Sequence, residues 1–310
     1  ALLYRAPEGS LKDNCVIWHD GTFHLFTMYR INDQGDDLVQ WRHVWSATST
    51  DGVHWTDVGP VIKDAPFGIY AMRVRGHMDK YGLTREHCAK VAVKNHDNGA
   101  LNPHAQYRNK VTVEEVLKSR MIADPINLMD ASPMGDGSAA VILVPADTLQ
   151  ISKTKKVIKV VASSAATDTM ATHDRKDATW LRAAEFSSKE AYAQAGISPK
   201  DIDLFELHDA FSIMAALSLE SCGFAERGKA PILAREGQIR PNGRIPIATR
   251  GGLKSRGHPV GATGIFQLVE VVQQLRGEAG ETQVENAQYG MTQNIGGSGS
   301  NIITHILQAV

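Results

Sequence analysis

The stretch Gly251-Gly252-Leu253-Lys254-Ser255-Arg256-Gly257-His258-Pro259-Val260-Gly261-Ala262-Thr263-Gly264 sets one histidine in a tight glycine frame directly before a helical pattern. Five glycines in fourteen residues carry a large conformational-entropy cost on folding, which a plain connector has no reason to bear. The frame predicts a backbone that turns sharply and approaches a ligand or a second segment closely. Outward from it, residues 265–275 read as a helix, and residues 287–292 and 300–307 as paired closing strands. Upstream, residues 202–207 read as a strand that delivers His208 to its C-terminal end. A helix over 211–222 follows, stopped by Gly223. Strands over 139–144 and 157–163 and a helix over 178–195, ended by Gly196, complete a β-to-α alternation that predicts a layered α/β domain.

Before that domain the texture differs. Residues 84–95 and 112–119 read as helices, the first with Cys88, Val91 and Ala92 on an apolar face, the second capped by Thr112. Residues 16–19 and 22–29 flank Asp20-Gly21 as a hairpin, and residues 44–49 and 53–56 flank Asp51-Gly52 in the same way. Four of the five tryptophans, Trp18, Trp41, Trp45 and Trp55, fall in this opening part.

Composition narrows the partners. With 33 basic and 34 acidic side chains, no global charge draws the chain to nucleic acid or to an anionic membrane. Cys15, Cys88 and Cys222 stand far apart, so neither a disulfide scaffold nor a structural zinc site is expected, and a reducing, cytoplasmic setting is. No run of roughly 18 apolar residues predicts a membrane span, and Ala1-Leu2-Leu3-Tyr4-Arg5 is too short for a signal peptide.

Three features stand where layered sheets keep their chemistry, past strand ends or on glycine-rich loops: His208-Asp209, His258 in its frame, and Gln293-Asn294-Ile295-Gly296-Gly297-Ser298-Gly299. Imidazole exchanges protons near neutrality and donates a hydrogen bond to a developing oxyanion, so two of them suit acyl or enolate chemistry. The glycine run offers backbone N–H groups to an oxyanion or a thioester oxygen. The plainer alternatives are that His208 or Asp209 caps the helix near Phe211, and that Asn294 merely serves a turn.

Residues 76–310 resemble the thiolase superfamily, in the branch of the sterol-carrier thiolases and archaeal acetyl-CoA acetyltransferases. The likeness is carried by Tyr81-Gly82, Arg85-Glu86, Val93-Lys94-Asn95-His96, Leu101-Asn102-Pro103, residues 119–125, Ser132-Pro133 and residues 136–140. Residues 206–211, the 251–264 stretch and residues 292–297 complete it. The resemblance implies a layered αβαβα fold with a loop domain, here residues 76–130 ahead of an α/β domain over 131–310. It also implies coenzyme A thioesters as substrates, with no tightly bound cofactor and no metal, Claisen or thiolytic chemistry, and a homo-oligomer. By that likeness His258 activates a nucleophilic cysteine, and His208 takes the place where typical members hold an oxyanion water with asparagine. Gly257, Gly296 and Gly297 are then expected at the thioester.

The departures matter as much. Neither catalytic thiol of a thiolase can be assigned: Asn294 and Ala210 occupy positions where relatives carry cysteine, and Cys15 and Cys88 sit in the wrong context. An impaired acyltransferase is therefore expected, with two alternatives. One is a cysteine-less aldolase or lyase using Tyr289 with a histidine, a kind that pairs with a zinc-ribbon and OB-fold partner. The other is a non-catalytic subunit.

Residues 11–72 resemble instead a blade of the five-bladed propeller glycoside hydrolases, on Lys12-Asp13, residues 16–26, Trp45-Ser46-Ala47-Thr48-Ser49, residues 51–55 and Gly59-Pro60-Val61-Ile62. That likeness places Asp13 at the base or nucleophile position, and the required second carboxyl, roughly 5–9.5 Å away, has no candidate. Residues 1–75 are expected to form this β-hairpin segment, a carbohydrate-active fragment being the remotest function. The join near 73–78 lacks a linker-like sequence, which suggests recombination, a misassembled reading frame or a deliberate chimera.

Overall fold

The computed structural model describes residues 10–30, 43–51, 53–62, 65–148 and 156–310. They belong to two compact units, one ending at Ala71 and one running from Met72 to Val310. In the first, β1 (Ser10–His19), β2 (Thr22–Arg30), β3 (His43–Ser49) and β4 (Thr56–Ile62) form an antiparallel meander in chain order. Asp20 and Gly21 both take positive φ, 47° and 71°, the turn whose twist matches the flanking strands. Leu25 and Ala47, direct cross-strand partners, are completely buried. The second hairpin departs from expectation. Asp51 accepts the N–H groups of Val53 and His54, each at 2.8 Å, so the chain stays in a turn and its strand begins at Thr56 instead of Val53. Trp41 and the side chains of Asp13 and Cys15 lie outside the described residues.

Residues 68–72, the end of the stretch that resembles a propeller blade, are helical, since they lie within α1 (Ala65–Tyr81). Ala71, Val74 and His77 recur three apart and are all buried, which is the period of a helix and not of a strand. Helix α2 (Arg85–Ala100) starts at a capping box between Thr84 and His87, and α3 (Val113–Lys118) at one between Thr112 and Glu115. They meet over Ala89, Ala92, Val111 and Val116. The short strands β5 (Met121–Ala123) and β6 (Ile126–Asn127) follow.

The remainder is β7 (Ile158–Thr167), α4 (Arg182–Ala195), β8 (Leu204–Glu206), α5 (Ser212–Ser221), α6 (Ala230–Arg235), α7 (Gly252–Ser255), α8 (Thr263–Arg276), β9 (Tyr289–Gly296) and β10 (Asn301–Ala309). The strands make one mixed sheet in the order β7-β10-β9-β8, antiparallel except for the β8/β9 pair. Side chains alternate between the two faces of β10. Thr304 bonds Ser187 of α4 at 2.9 Å, whereas Leu307 and Ala309, at odd offsets from it, pack with Leu204, Val271 and Leu275 on the α8 side. The sheet is thus layered between helices, as a thiolase-like α/β fold requires. Gly290 lets α8 lie directly on β9, because a Cβ there would collide with Val271.

Residues 139–144 form no strand, contrary to expectation. Ile142 and Leu143 are 91% and 76% exposed, and no described strand runs beside them. A β-prone sequence without a neighbour to complete its hydrogen-bond ladder stays irregular. Among the described residues, no helix is long and apolar enough to cross a membrane.

Candidate active site

The glycine frame approaches a second segment, helix α2. Gly251, Gly252 and Gly257 take φ of 108°, 55° and 116°, conformations that only glycine enters without strain. A Cβ on Gly251 would stand 2.9 Å from the Gly99 Cα, and one on Gly252 would stand 2.6 Å from the Asp209 carboxylate. Polar side chains from α2 and the turn after it hold this path. Lys94 Nζ donates to the Ile247 carbonyl at 2.6 Å, Asn98 Nδ2 to Ala248 at 3.1 Å, and Asn102 Nδ2 to Arg250 at 2.9 Å.

Asp209 locks the other side. Its carboxylate accepts the Leu253 N–H at 2.9 Å and a bond from Asn95 Nδ2, while Lys254 Nζ donates to its backbone carbonyl at 2.6 Å. Burial opposes its charge, but Lys254 and Lys94 outweigh that and hold its carboxyl at about 2. Asp209 therefore anchors the frame and does not cap α5, whose first turn has no side-chain cap. Lys94, Asn95 and Asn102 were legible only as motif residues, and Asn98 not at all. The signal that could have found them was helical spacing of polar side chains on a face that is in fact buried.

Neighbouring strands bring His208 and Asn294 together. In the β8/β9 register Glu206 pairs with Thr292, so two residues further on His208 and Asn294 stand side by side. Asn294 is a strand residue and not a loop residue, since β9 continues to Gly296. The His208 and His258 rings lie 5.0 Å apart between centroids and meet edge to face at 87°. His258 Nδ1 is 2.7 Å from Thr263 Oγ1, at the start of α8. Burial, together with the neighbouring His258, pushes His208 down to about 3. Burial and the Arg256 guanidinium push His258 down to about 4. Both rings are consequently neutral at neutral pH. Arg256 itself is tied to Glu270 at 2.7 Å, both side chains buried.

A relay of amides fixes the His208 tautomer. The Gln293 carbonyl can only accept, so Gln267 turns its Nε2 to it at 3.0 Å. Gln267 Oε1 then faces Asn294 Nδ2 at 3.3 Å, and the same amide nitrogen lies 3.3 Å from His208 Nδ1. An amide nitrogen donates, so Nδ1 is the acceptor and the proton of neutral His208 sits on Nε2.

Of the other expected residues, Tyr289, Gly296 and Gly297 lie elsewhere. Tyr289 begins β9, five residues before Asn294, which is roughly 16 Å of strand, and its hydroxyl accepts from Gln308 Nε2 at 2.8 Å. Gly296 pairs with Asn301, and Gly297, φ 57°, opens the β9–β10 turn. The carbonyl of Ser298 in that turn receives Arg73 Nη2 at 2.6 Å and Arg175 Nη1 at 2.9 Å. Gly257 does adjoin the pair, with Gln106 against it.

Neither described cysteine bonds a histidine. Cys88 is buried within α2, and burial raises its thiol. Cys222 receives Gln293 Nε2 at 3.1 Å, which puts it on the face opposite Asn294, and burial pushes its thiol up to about 12. Among the described residues no group of three or more His, Cys, Asp or Glu is arranged to hold a metal ion.

Comparison with known proteins finds a thiolase N-terminal domain model matching residues 34–147 and a thiolase C-terminal domain-like model matching residues 164–309. The first match overlaps the segment that resembles a propeller blade. An acetyl-CoA acetyltransferase of Methanothermobacter thermautotrophicus is 51% identical over 77% of this chain and 62% of its own length. Sterol carrier protein 2 of Bos taurus is 37% identical over 74% of this chain and 43% of its own. A solved structure described as an Ltp2-ChsH2(DUF35) aldolase superposes with a TM-score of 0.69 at 25% identity, covering 79% of this chain and 65% of that one. The chain thus spans less than two thirds of the length of these relatives.

Proposed function

Because the chain belongs to the thiolase superfamily, we propose that its Met72–Val310 unit binds coenzyme A thioesters, polarises their carbonyl at His208 and takes up the α-proton at His258. This is the part of thiolase-like acyl-CoA C-acyltransfer that needs no covalent cysteine. The coenzyme A thioester is substrate and not a resident cofactor. The observation that carries the reading is the edge-to-face pair of neutral imidazoles with one tautomer set by Asn294. His208 Nε2–H donates to the thioester oxygen as negative charge develops there. His258, engaged at Nδ1 by Thr263, uses Nε2 to remove the α-proton. Asn294 and Gln267 position His208, and Gly257 lets the chain pass close to the reacting group.

Turnover is expected to be impaired, because without a nucleophilic thiol the acyl transfer is not divided into two easier steps. The test is deuterium exchange into the α-carbon of acetyl-CoA, followed by NMR. Exchange should exceed the buffer rate and fall by roughly 10²–10⁴-fold in His258→Ala. Exchange at the buffer rate with the native chain would reject the reading. Thiolysis of acetoacetyl-CoA by free CoA is expected to be slow by comparison.

A second reading, a lyase on β-hydroxyacyl thioesters, is favoured by the likeness to the solved aldolase. There His258 would take the β-hydroxyl proton, and Tyr289→Phe would leave cleavage intact, given where Tyr289 stands. Release of a ketone or aldehyde with a shorter thioester decides for it. The expectations of a homo-oligomer and of a zinc-ribbon and OB-fold partner remain proposals, the latter favoured by a neighbour whose description joins Ltp2 to ChsH2(DUF35). Silence in every assay would leave the non-catalytic subunit. Sugar release from arabinan that depends on Asp13 would support the propeller likeness.

A further inference from the structure

A concavity of about 670 Å³ opens at the far end of β8 and α5 from the histidines. Ile202 precedes β8 and Phe224 follows α5, whereas His208 follows β8 and Phe211 precedes α5. About 15 Å of helix therefore separates the two places. The volume falls within the range of small-molecule sites. Its floor is apolar, made by Ile202, Phe224 and Ile245, each at most 4% exposed.

The rim has the opposite character. Lys200, Lys229 and Arg244 are exposed around the mouth, against the single carboxylate of Glu226. Among the described residues none of these three cations forms an ion pair within hydrogen-bonding distance. Arg244 is also fixed in place, because its Nη2 donates to the Phe224 carbonyl beside the floor. An apolar trough edged by three cations and one carboxylate complements a chain with a negative head better than one with a positive head.

We propose that this groove binds an anionic amphiphile, with an aliphatic chain on the Ile202, Phe224 and Ile245 floor and a carboxylate or phosphate head among Lys200, Lys229 and Arg244. The site is independent of the histidine chemistry and occupies the other end of the same layer.

Calorimetric titration of the full chain with dodecanoate, dodecyl phosphate and dodecyltrimethylammonium, each below its micelle concentration, tests this. One saturable site is expected for the two anions and none for the cation, and the tighter anion identifies the head. The Lys229→Glu, Arg244→Glu double variant should weaken anion binding by roughly tenfold or more. Leu233→Trp, on the groove wall, should weaken it by blocking the trough, while His208→Asn should leave it unchanged. Absence of saturable anion binding, equal affinity for the cation, or indifference to both groove variants would overturn the proposal. So would loss of binding in His208→Asn, which would place the amphiphile at the histidines.

Discussion

Acid should unfold this protein through His208, and the size of the effect can be worked out. His208 is 8% exposed and its pKa is pushed from 6.5 to about 3 by burial first and by His258 second. A group whose folded pKa is depressed binds more protons in the unfolded chain, so stability is fully present above pH 6.5 and falls as pH is lowered towards 3. At about pH 5 the folded ring is still neutral while the unfolded ring is protonated. The loss relative to about pH 7.5 is then about 2 kcal/mol from this residue, at 1.36 kcal/mol per pH unit. His208→Asn removes the titration but keeps a side chain that can bond Asn294. Urea unfolding followed by helical circular dichroism reads the Met72–Val310 unit, where α2 to α8 lie. The drop in stability between about pH 7.5 and 5 should be smaller in the variant by about 2 kcal/mol. An identical drop in both proteins would refute the burial argument.

Other outcomes follow from the frame and the core. Asp209→Ala should destabilise by about 3–5 kcal/mol in the same assay, because it removes the main counter-charge of the buried Lys254 and Lys94; Asp209→Asn, which still accepts from Leu253, should cost less. Gly252→Ala should cost about 1–3 kcal/mol and slow α-proton exchange, since φ of 55° and the Asp209 contact both oppose a Cβ. Leu307→Ala should cost about 2–5 kcal/mol by opening a cavity under α8. Cys222 should resist thiol reagents in the native protein and label on unfolding, as mass spectrometry of its peptide would report.

Much of the architecture was legible because it rests on local chemistry. Asp20-Gly21 forms the two-residue turn that its dipeptide favours between strand-forming runs, as Asp51-Gly52 does not, and Thr84, Thr112, Gly196 and Gly223 mark helix ends by capping or by positive φ. The limits of local reading appear at residues 139–144, where strand propensity is present and a partner strand is not, and at residues 68–72, which lie in a helix whose buried side carries Ala71, Val74 and His77. The histidines were legible as chemistry and not as geometry. His258 was marked by its glycines and His208 by its place after a strand, but no spacing in the chain tells that residues 208, 258 and 294 meet.

Sequence alone therefore determined the family, the two imidazoles and the lack of an assignable catalytic cysteine, since each depends only on which residues occur in which order. Tertiary structure decided what those residues do to one another. It placed Asn294 in a strand beside His208, turned Asp209 from a helix cap into an anchor for the frame, and left Tyr289 at the wrong end of its strand. The physical reason is that burial, tautomer and charge coupling are set by neighbours distant in the chain, and the parallel register of β8 with β9 is what brings those neighbours together.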